Sequence, residues 1–473
     1  MKNKKLLGIL AMLLSLCLLL SACTGNSGMS DNTDNSSETN EQHGGPGDTP
    51  PDGNGGSAPG GVPGGSSSAD IDYSGAVEIT SADAQDGQTY ASTTSNESAL
   101  LIATSDTVTI TNPTVTKSGN SDGGDNCNFH GLNAAVLVKD GSDTTINGGT
   151  VASDAEGANG VFSYGGNGGQ NGAAGDGTTV TIRDTVISTT GGGSGGIMTT
   201  GGGVTYAYDL SVTTAGQSSA AIRTDRGGGT VYVDGGSYTS NGLGSPAIYA
   251  TAEIHVANAT LVSTLSEGVC IEGVNSIELT NCDLTANNTK CNGNATFLDS
   301  IMIYQSMSGD ADSGTSAFTM TGGSLTSRNG HMFHVTNTSA IITLSGVKLI
   351  NEDADNILLS VCADGWSGGG NTAILRASGQ ELGGAVLVGS DSALTMELSG
   401  GSAFTGSISG DIVNASGTSV SAEVGAVAVS LDSDSTWTLT ADSYITSFSG
   451  DASNVISNGF TLYVNGTALP GVK

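Results

Sequence analysis

Val108-Thr-Ile-Thr-Asn-Pro-Thr-Val115 alternates apolar and polar residues, turns, and resumes with an apolar residue. The phrase returns along the chain. It stands as Thr144-Thr-Ile-Asn-Gly-Gly-Thr-Val151, as Val180-Thr-Ile-Arg-Asp-Thr-Val-Ile187 and as Val231-Tyr-Val-Asp-Gly-Gly-Ser-Tyr238. It recurs as Ile277-Glu-Leu-Thr-Asn-Cys-Asp-Leu284 and Phe318-Thr-Met-Thr-Gly-Gly-Ser-Leu325. Strand alternation inside a unit repeated every twenty to forty residues predicts a solenoid.

Twelve copies align on three columns. The first holds Ile110, Ile146, Ile182, Ala207, Val233, Val256, Leu279, Met320, Leu344, Ala377, Leu398 and Leu439. Two residues on come Asn112, Gly148, Asp184, Asp209, Gly235, Asn258, Asn281, Gly322, Gly346, Gly379, Gly400 and Ala441. The third column is Val115, Val151, Ile187, Val212, Tyr238, Leu261, Leu284, Leu325, Leu349, Leu382, Ala403 and Tyr444. Asn, Asp and Gly enter left-handed backbone at least cost, so column two reads as a sharp corner between two short strands. Spacings of 21 to 41 residues leave room for loops at the corners of stacked coils. The widest gap at the end has space for another coil around Val424-Gly-Ala-Val-Ala-Val-Ser430.

The repeat resembles the right-handed parallel β-helix of the pectin-lyase-like superfamily, and also Gly/Ser/Thr-rich β-helical surface adhesins and autotransporter passenger regions. The resemblance covers residues 71–473. It implies an all-β fold, a single right-handed parallel β-helix of at least twelve coils. Ile71 to Tyr90 reads as a cap on the first coil, and Phe460-Thr-Leu-Tyr-Val-Asn-Gly-Thr467 as a final strand with an Asn-Gly turn. Helix-period segments are almost absent.

Residues 1–22 read as a signal peptide: Lys2, Lys4 and Lys5 precede an apolar run ending in Leu20-Ser-Ala-Cys23. That ending resembles a bacterial lipoprotein signal, which implies lipidation of Cys23 and anchorage to the outer face of the cell membrane. Residues 23–70, rich in Gly, Ser, Asn, Asp and Pro, read as a disordered tether. Such a coil reaches about 40 Å on average.

Without the three signal lysines the chain carries 10 basic and 45 acidic residues. That balance argues against nucleic acid and anionic membranes as partners. It permits divalent cations and neutral or cationic ligands. Cys127, Cys270, Cys282, Cys291 and Cys362 show no Cys-x-x-Cys spacing, which disfavours zinc. Oxidation would allow Cys282 and Cys291 to close a short loop.

Alternation assigns outward faces. On the first-column strands the outward positions run from Thr109, Thr111, Thr145, Asn147 and Thr181 to Tyr206, Tyr208, Tyr232 and His255, with Arg183, Asp234 and Glu278 beside them. Stacked aromatics among carboxylates suit the apolar faces and hydroxyls of sugars. The threonine array stops at Tyr206, too short for an ice-binding face.

A second strand precedes each copy, as in Ala221-Ile-Arg-Thr-Asp225 and Ala247-Ile-Tyr-Ala-Thr251. Val136, Val161, Ile197, Ile222, Ile248, Val269 and Ile301 then point inward. The outward column becomes Leu137, Phe162, Met198, Arg223, Tyr249, Cys270 and Met302, too apolar for open water. Either loops cover it or it lines a groove. The next outward column holds Lys139, Tyr164, Asp225, Glu272 and Tyr304. In pectin-lyase-like enzymes the substrate groove crosses such a face, which makes Arg223, Asp225, Tyr249, Glu272 and Tyr304 candidate ligand contacts. Arg223 would be the base of a pectate-lyase-type reaction. Arg223-Thr-Asp-Arg226 lacks the proline of that family's arginine pair, its Trp-x-Asp-His is missing, and no polygalacturonase cluster is present.

Trp366 in a Gly-rich loop reads as an exposed sugar-stacking residue or as a lid. Asp310 and Asp312, and Asp122 and Asp125, stand in acidic turns whose oxygens suit calcium, the one cofactor the sequence allows. Gly165 to Gly177 predicts a mobile corner loop without a phosphate-loop order. His331 and His334, three apart on a strand, are expected on opposite faces. The reading is a lipid-anchored surface protein that binds carbohydrate or another surface ligand without catalysis. The alternatives are a polysaccharide lyase using Arg223 and a structural adhesin with protein partners.

Overall fold

A computed structural model describes residues 71–121, 124–167 and 174–473. The signal, Cys23, the tether, Asp122 and the middle of the Gly-rich 165–177 loop lie outside the described residues. The described chain is an all-β parallel β-helix. Three long sheets of 13, 14 and 10 strands run along it, and every neighbour within them is parallel and one coil away in sequence. We call these the first, second and third sheets; they begin with Ser74–Ile79, Asp83–Asp86 and Thr89–Ser92. Each coil runs through them in that order, then crosses a loop to the next coil.

The corner between the second and third sheets is the corner read from the sequence. Eleven of the twelve column-two residues have φ between 47° and 77°, from Asn112 to Gly235. The glycine that follows some of them is needed for contact: a Cβ on Gly323 would sit 2.0 Å from the Cys282 carbonyl oxygen of the coil before. Ala441, the exception, belongs to a misplaced copy. Leu439 lies in a separate four-stranded sheet that takes over from the third, where Leu382, Phe404, Trp437 and Val455 are in register. Ala403 is therefore one residue off the inward column. The missing coil is Ala426–Leu431 in the second sheet.

Inward columns stack like on like. Val136, Val161, Ile197, Ile222, Ile248, Val269 and Ile301 pair in register down the first sheet, each at most 2% exposed. Branched aliphatic chains suit this, because successive coils present the same pleated surface. At the corner between the third sheet and the first, a polar ladder replaces the aliphatic one. The Ser219 hydroxyl accepts from the Ser194 N–H at 2.9 Å, and the Ser245 hydroxyl from the Ser219 N–H at 2.8 Å. Their hydroxyls donate in turn to carbonyls of Ala155, Gly191 and Gly216. Small hydroxyls satisfy backbone groups that the bend removes from the sheets.

Residues 71–90 form the first coil itself, with a strand in each sheet. The far end is closed by the expected hairpin. Leu462–Val464 pairs antiparallel with Thr467–Ala468, and Asn465 and Gly466 have φ of 47° and 75°. Positive φ at both central residues is the two-residue turn that matches strand twist.

Candidate functional site

The two outward faces differ. The first sheet is roofed by loops, and the second is open.

On the first sheet, the outward column Leu137, Phe162, Met198, Arg223, Tyr249, Cys270 and Met302 is buried throughout. Of the two expectations for this face, the loops prevail. A short helix, Asp125–His130, which the sequence did not announce, lays Phe129 and His130 over one end. His130 meets Tyr164 edge-on at 5.4 Å. Trp366 is the lid rather than an exposed platform: it is buried, 5.0 Å from the Tyr304 ring. Leu137, Phe162, Tyr164 and Met198 form one roofed cluster; Tyr249, Cys270, Met302, Tyr304 and Trp366 form another.

Between them runs a chain of buried and half-buried polar contacts. Arg223 is 0% exposed and donates to Asp225 at 2.7 Å, with the Tyr249 ring 5.7 Å away. Arg226 pairs with Asp310 at 2.5 Å and lies 4.3 Å over Phe129. Glu272 accepts from Tyr249 at 2.6 Å, from Tyr304 at 3.1 Å and from Ser306. Burial pushes the Asp225 carboxyl up to about 7, against the pull of Arg223. Burial also raises Glu272, with Ser306 and Tyr249 pulling it back down. Arg223, Asp225, Tyr249, Glu272 and Tyr304 are thus brought together as read, but beneath a roof. A base must touch the C–H it deprotonates, and a buried guanidinium turns no surface to a polymer.

Asp310 is engaged by Arg226 and by the Ser308 hydroxyl at 2.9 Å. Asp312 lies at the edge of an open groove, and Asp125 opens the short helix. Among the described residues no three His, Cys, Asp or Glu side chains converge to hold a metal. Cys282 and Cys291 are both free thiols: Cys282 points into the core and donates to the Val256 carbonyl at 3.3 Å, and Cys291 to that of Phe297 at 3.3 Å. The short loop between them therefore stays unbridged.

The histidine expectation is corrected as well. His331 opens its strand, where alternation does not yet hold, and both rings lie against Phe297 at 5.2 and 4.8 Å. Both Nδ1 atoms reach the Ser360 hydroxyl at 2.7 Å. One hydroxyl donates once, so it gives its proton to one ring and accepts from the other. His334 Nε2 faces the Asp364 carboxylate at 3.4 Å, and that carboxylate also accepts from the Thr296 N–H at 2.8 Å. This cluster pins the 296 and 364 loops onto the sheet.

The second sheet presents its outward column to solvent. Tyr206, Tyr232 and His255 pair in register on successive coils. Their rings are parallel to within 10°, at 5.1 and 5.0 Å. Rings stacked one coil apart cover each other's faces, so Tyr232, 39% exposed, offers its edge and hydroxyl rather than a platform. That differs from the sugar-stacking surface expected of the column. Partial desolvation, then the Glu253 carboxylate, push the Tyr232 phenol above its usual range.

The neighbouring column supplies a face. Arg183 lies 3.9 Å over one side of the Tyr208 ring. The next coils hold Asp234, which Asn258 draws toward the corner at 2.7 Å, and then the small Ala257. Tyr206, Tyr208, Tyr232, Asp234, His255, Ala257 and Glu278 thereby surround a shallow depression of about 390 Å³.

Glu253 is the residue the sequence reading missed. Its carboxylate lies 2.8 Å from His255 Nε2, and Glu278 lies 3.1 Å from His255 Nδ1. The signal was present, since Glu253 is two residues before His255 on an alternating strand. Glu253 also lines a second open depression, of about 450 Å³, with Gly202, Gly228, Gly229, Asn275 and Asp312.

Compared with protein-family models, with curated proteins and with solved structures, the chain matches none.

Proposed function

We propose that the chain is a cell-surface protein, anchored through a lipid on Cys23, whose β-helix binds carbohydrate through the open second sheet without catalysis. The observation that carries the reading is the depression between the Tyr206–Tyr232–His255 ladder and Tyr208. On the first sheet the bulky outward chains are roofed; here aromatic edges, phenol hydroxyls and carboxylates meet water together. Carbohydrate sites combine such apolar edges with a few placed hydrogen-bonding groups. Tyr208 contributes the ring face left by Arg183, Tyr232 a hydroxyl, and Asp234 and Glu278 acceptors for sugar hydroxyls.

The pectate-lyase alternative is less well supported, because Arg223 is committed to Asp225 under the roof. A glycan array probed with the full chain tests the proposal. Binding to a defined glycan group that Tyr232→Ala weakens supports it. No glycan binding, with capture of a protein ligand in its place, would replace it with the structural-adhesin reading.

A further inference from the structure

Two depressions adjoin on the second sheet and together make a candidate cleft. Glu253 lines the first and its carboxylate contacts His255, which lines the second. Thr230 and Tyr232 on one coil, and Glu253 and His255 on the next, are outward residues paired in register, so no inward turn of the chain separates the two hollows. At about 3.3 Å per residue, Glu253 to Ala257 alone covers roughly 13 Å across the sheet. The floor near the first sheet is bare of bulk, since Gly202, Gly228, Gly229 and Ala252 form it. A linear polymer several units long fits such a slot better than a single ring.

The charges around the slot share one sign. Glu253, Asp312, Glu278 and Asp234 line it. The cation beside it, Arg183, is laid over the Tyr208 ring on the side away from the depression. His255 is held between two carboxylates, at 2.8 and 3.1 Å. Each ring nitrogen donates at most once, so each carboxylate keeps further acceptor sites. The remaining acceptor capacity lies on the cleft wall, unmatched by any side-chain donor of opposite charge lining it. The whole chain adds a field of the same sign, with a formal net charge of −32.

Resting on the carbohydrate reading, we infer that the cleft selects an amine-bearing polysaccharide: a chain of amino sugars whose free ammonium groups meet Glu253, Glu278 and Asp234. Each ammonium supplies three donors to walls whose charged groups, His255 aside, are carboxylates. The aromatic edges then flank the sugar rings between the charged contacts. A polyuronate of the same length meets like charge along the entire slot, and an N-acetylated chain loses the ionic contacts while keeping its shape.

The test compares one backbone in two charge states. The full chain is titrated with a glucosamine hexamer, its fully N-acetylated counterpart, a galacturonate hexamer and polylysine, at low and high salt. Expected is binding of the glucosamine hexamer about ten-fold or more tighter than its acetylated form, weakened by salt. The Glu253→Gln, Glu278→Gln double variant, checked for an unchanged β-sheet circular dichroism signal, loses that preference. Equal affinity for the two hexamers, or binding of the galacturonate, overturns the inference. If the acetylated hexamer still binds and Tyr232→Ala weakens it, the carbohydrate reading survives alone. Binding of polylysine without any glycan, or of none of the four, removes the inference and leaves the carbohydrate reading to the glycan array.

Discussion

The Tyr232 ring lies parallel to the His255 ring, 5.0 Å away on the next coil. The pair exists because register places the two residues opposite each other, and because both sides of a strand cannot be buried when only one is roofed. Its exposure separates function from stability. Tyr232→Ala is expected to weaken glycan binding about five- to ten-fold, from loss of an aromatic contact of about 1 kcal/mol. Thermal unfolding should shift little, and titration beside a melting curve checks both.

The corners give the opposite pattern. Asn281 has φ 51° and no contact with the cleft. Asn281→Ala should destabilise the fold by about 1–2 kcal/mol, the cost of left-handed backbone for a residue with a Cβ and no local hydrogen bond. Asn281→Gly should be close to neutral. Denaturant unfolding of the two variants separates them, and equal losses would contradict the backbone explanation.

Arg223 and Asp225 form an ion pair at 2.7 Å with almost no exposure. Removing the cation alone leaves a buried carboxyl without its partner, so Arg223→Met should cost about 3–5 kcal/mol. The double replacement Arg223→Met, Asp225→Leu should recover most of it. The wild-type chain, incubated with polygalacturonate and calcium, should release no unsaturated product. Release that Arg223→Met abolishes would restore the lyase alternative.

Two buried histidines oppose acid. Burial lowers His130 to about 4, and His331 to about 3, from an ordinary 6.5. Each therefore binds a proton more readily in the unfolded chain. Their own contribution should be full above pH ~6.5 and fall as pH drops through 6 and 5 toward those folded values, while the raised carboxyls of Asp225 and Glu272 work the other way, gaining stability as pH falls. Melting temperature from pH 7 to pH 4, compared between the wild-type chain and His130→Gln and His331→Gln, checks the sign: the variants should lose less on acidification. Facing them are Arg226 near His130, and His334 and Asp364 near His331, with Asp364 opposing the shift.

Among the described residues, thiol labelling should find one reactive site. Cys127, Cys270, Cys282 and Cys362 are buried, and Cys291 is half-buried. Burial raises the thiols of Cys270, Cys282, Cys362 and Cys291 alike above the usual range, so access rather than acidity singles out Cys291. A reagent added to the folded chain is expected to modify Cys291 first, and reducing agent to leave the melting temperature unchanged.

The repeat was legible because its physics is local. Alternation fixed which side of Ile182 or Val233 faces inward, and a residue tolerant of positive φ marked each corner. Ala441 shows the limit: a plausible apolar spacing around Leu439 imitated a corner that the backbone does not make. The cleft was half legible. Tyr206, Tyr208, Tyr232 and His255 were visible as an outward column, but that their rings cover one another follows only from the coil spacing. The roof over the first sheet was legible as one of two options, since so apolar an outward column needs cover, but most of the residues that supply it were not: Phe129 and Asp310 reach it from connections whose length says nothing about where they lie. Periodicity carries information within a coil; loops between coils carry none.

The left-handed corners also bear on how such a molecule changes size. Each bend is made by one residue's own preference, and each strand needs only a copy of itself as neighbour. The segment from Ala207 to Val233 is 26 residues, and from Val233 to Val256 it is 23. Tandem duplication of either would insert one further rung without disturbing the rungs on either side, carrying its outward ring and carboxylates with it. A lineage of such chains can therefore lengthen its recognition face in whole steps of one coil, matching longer polymers by counting rather than by redesign.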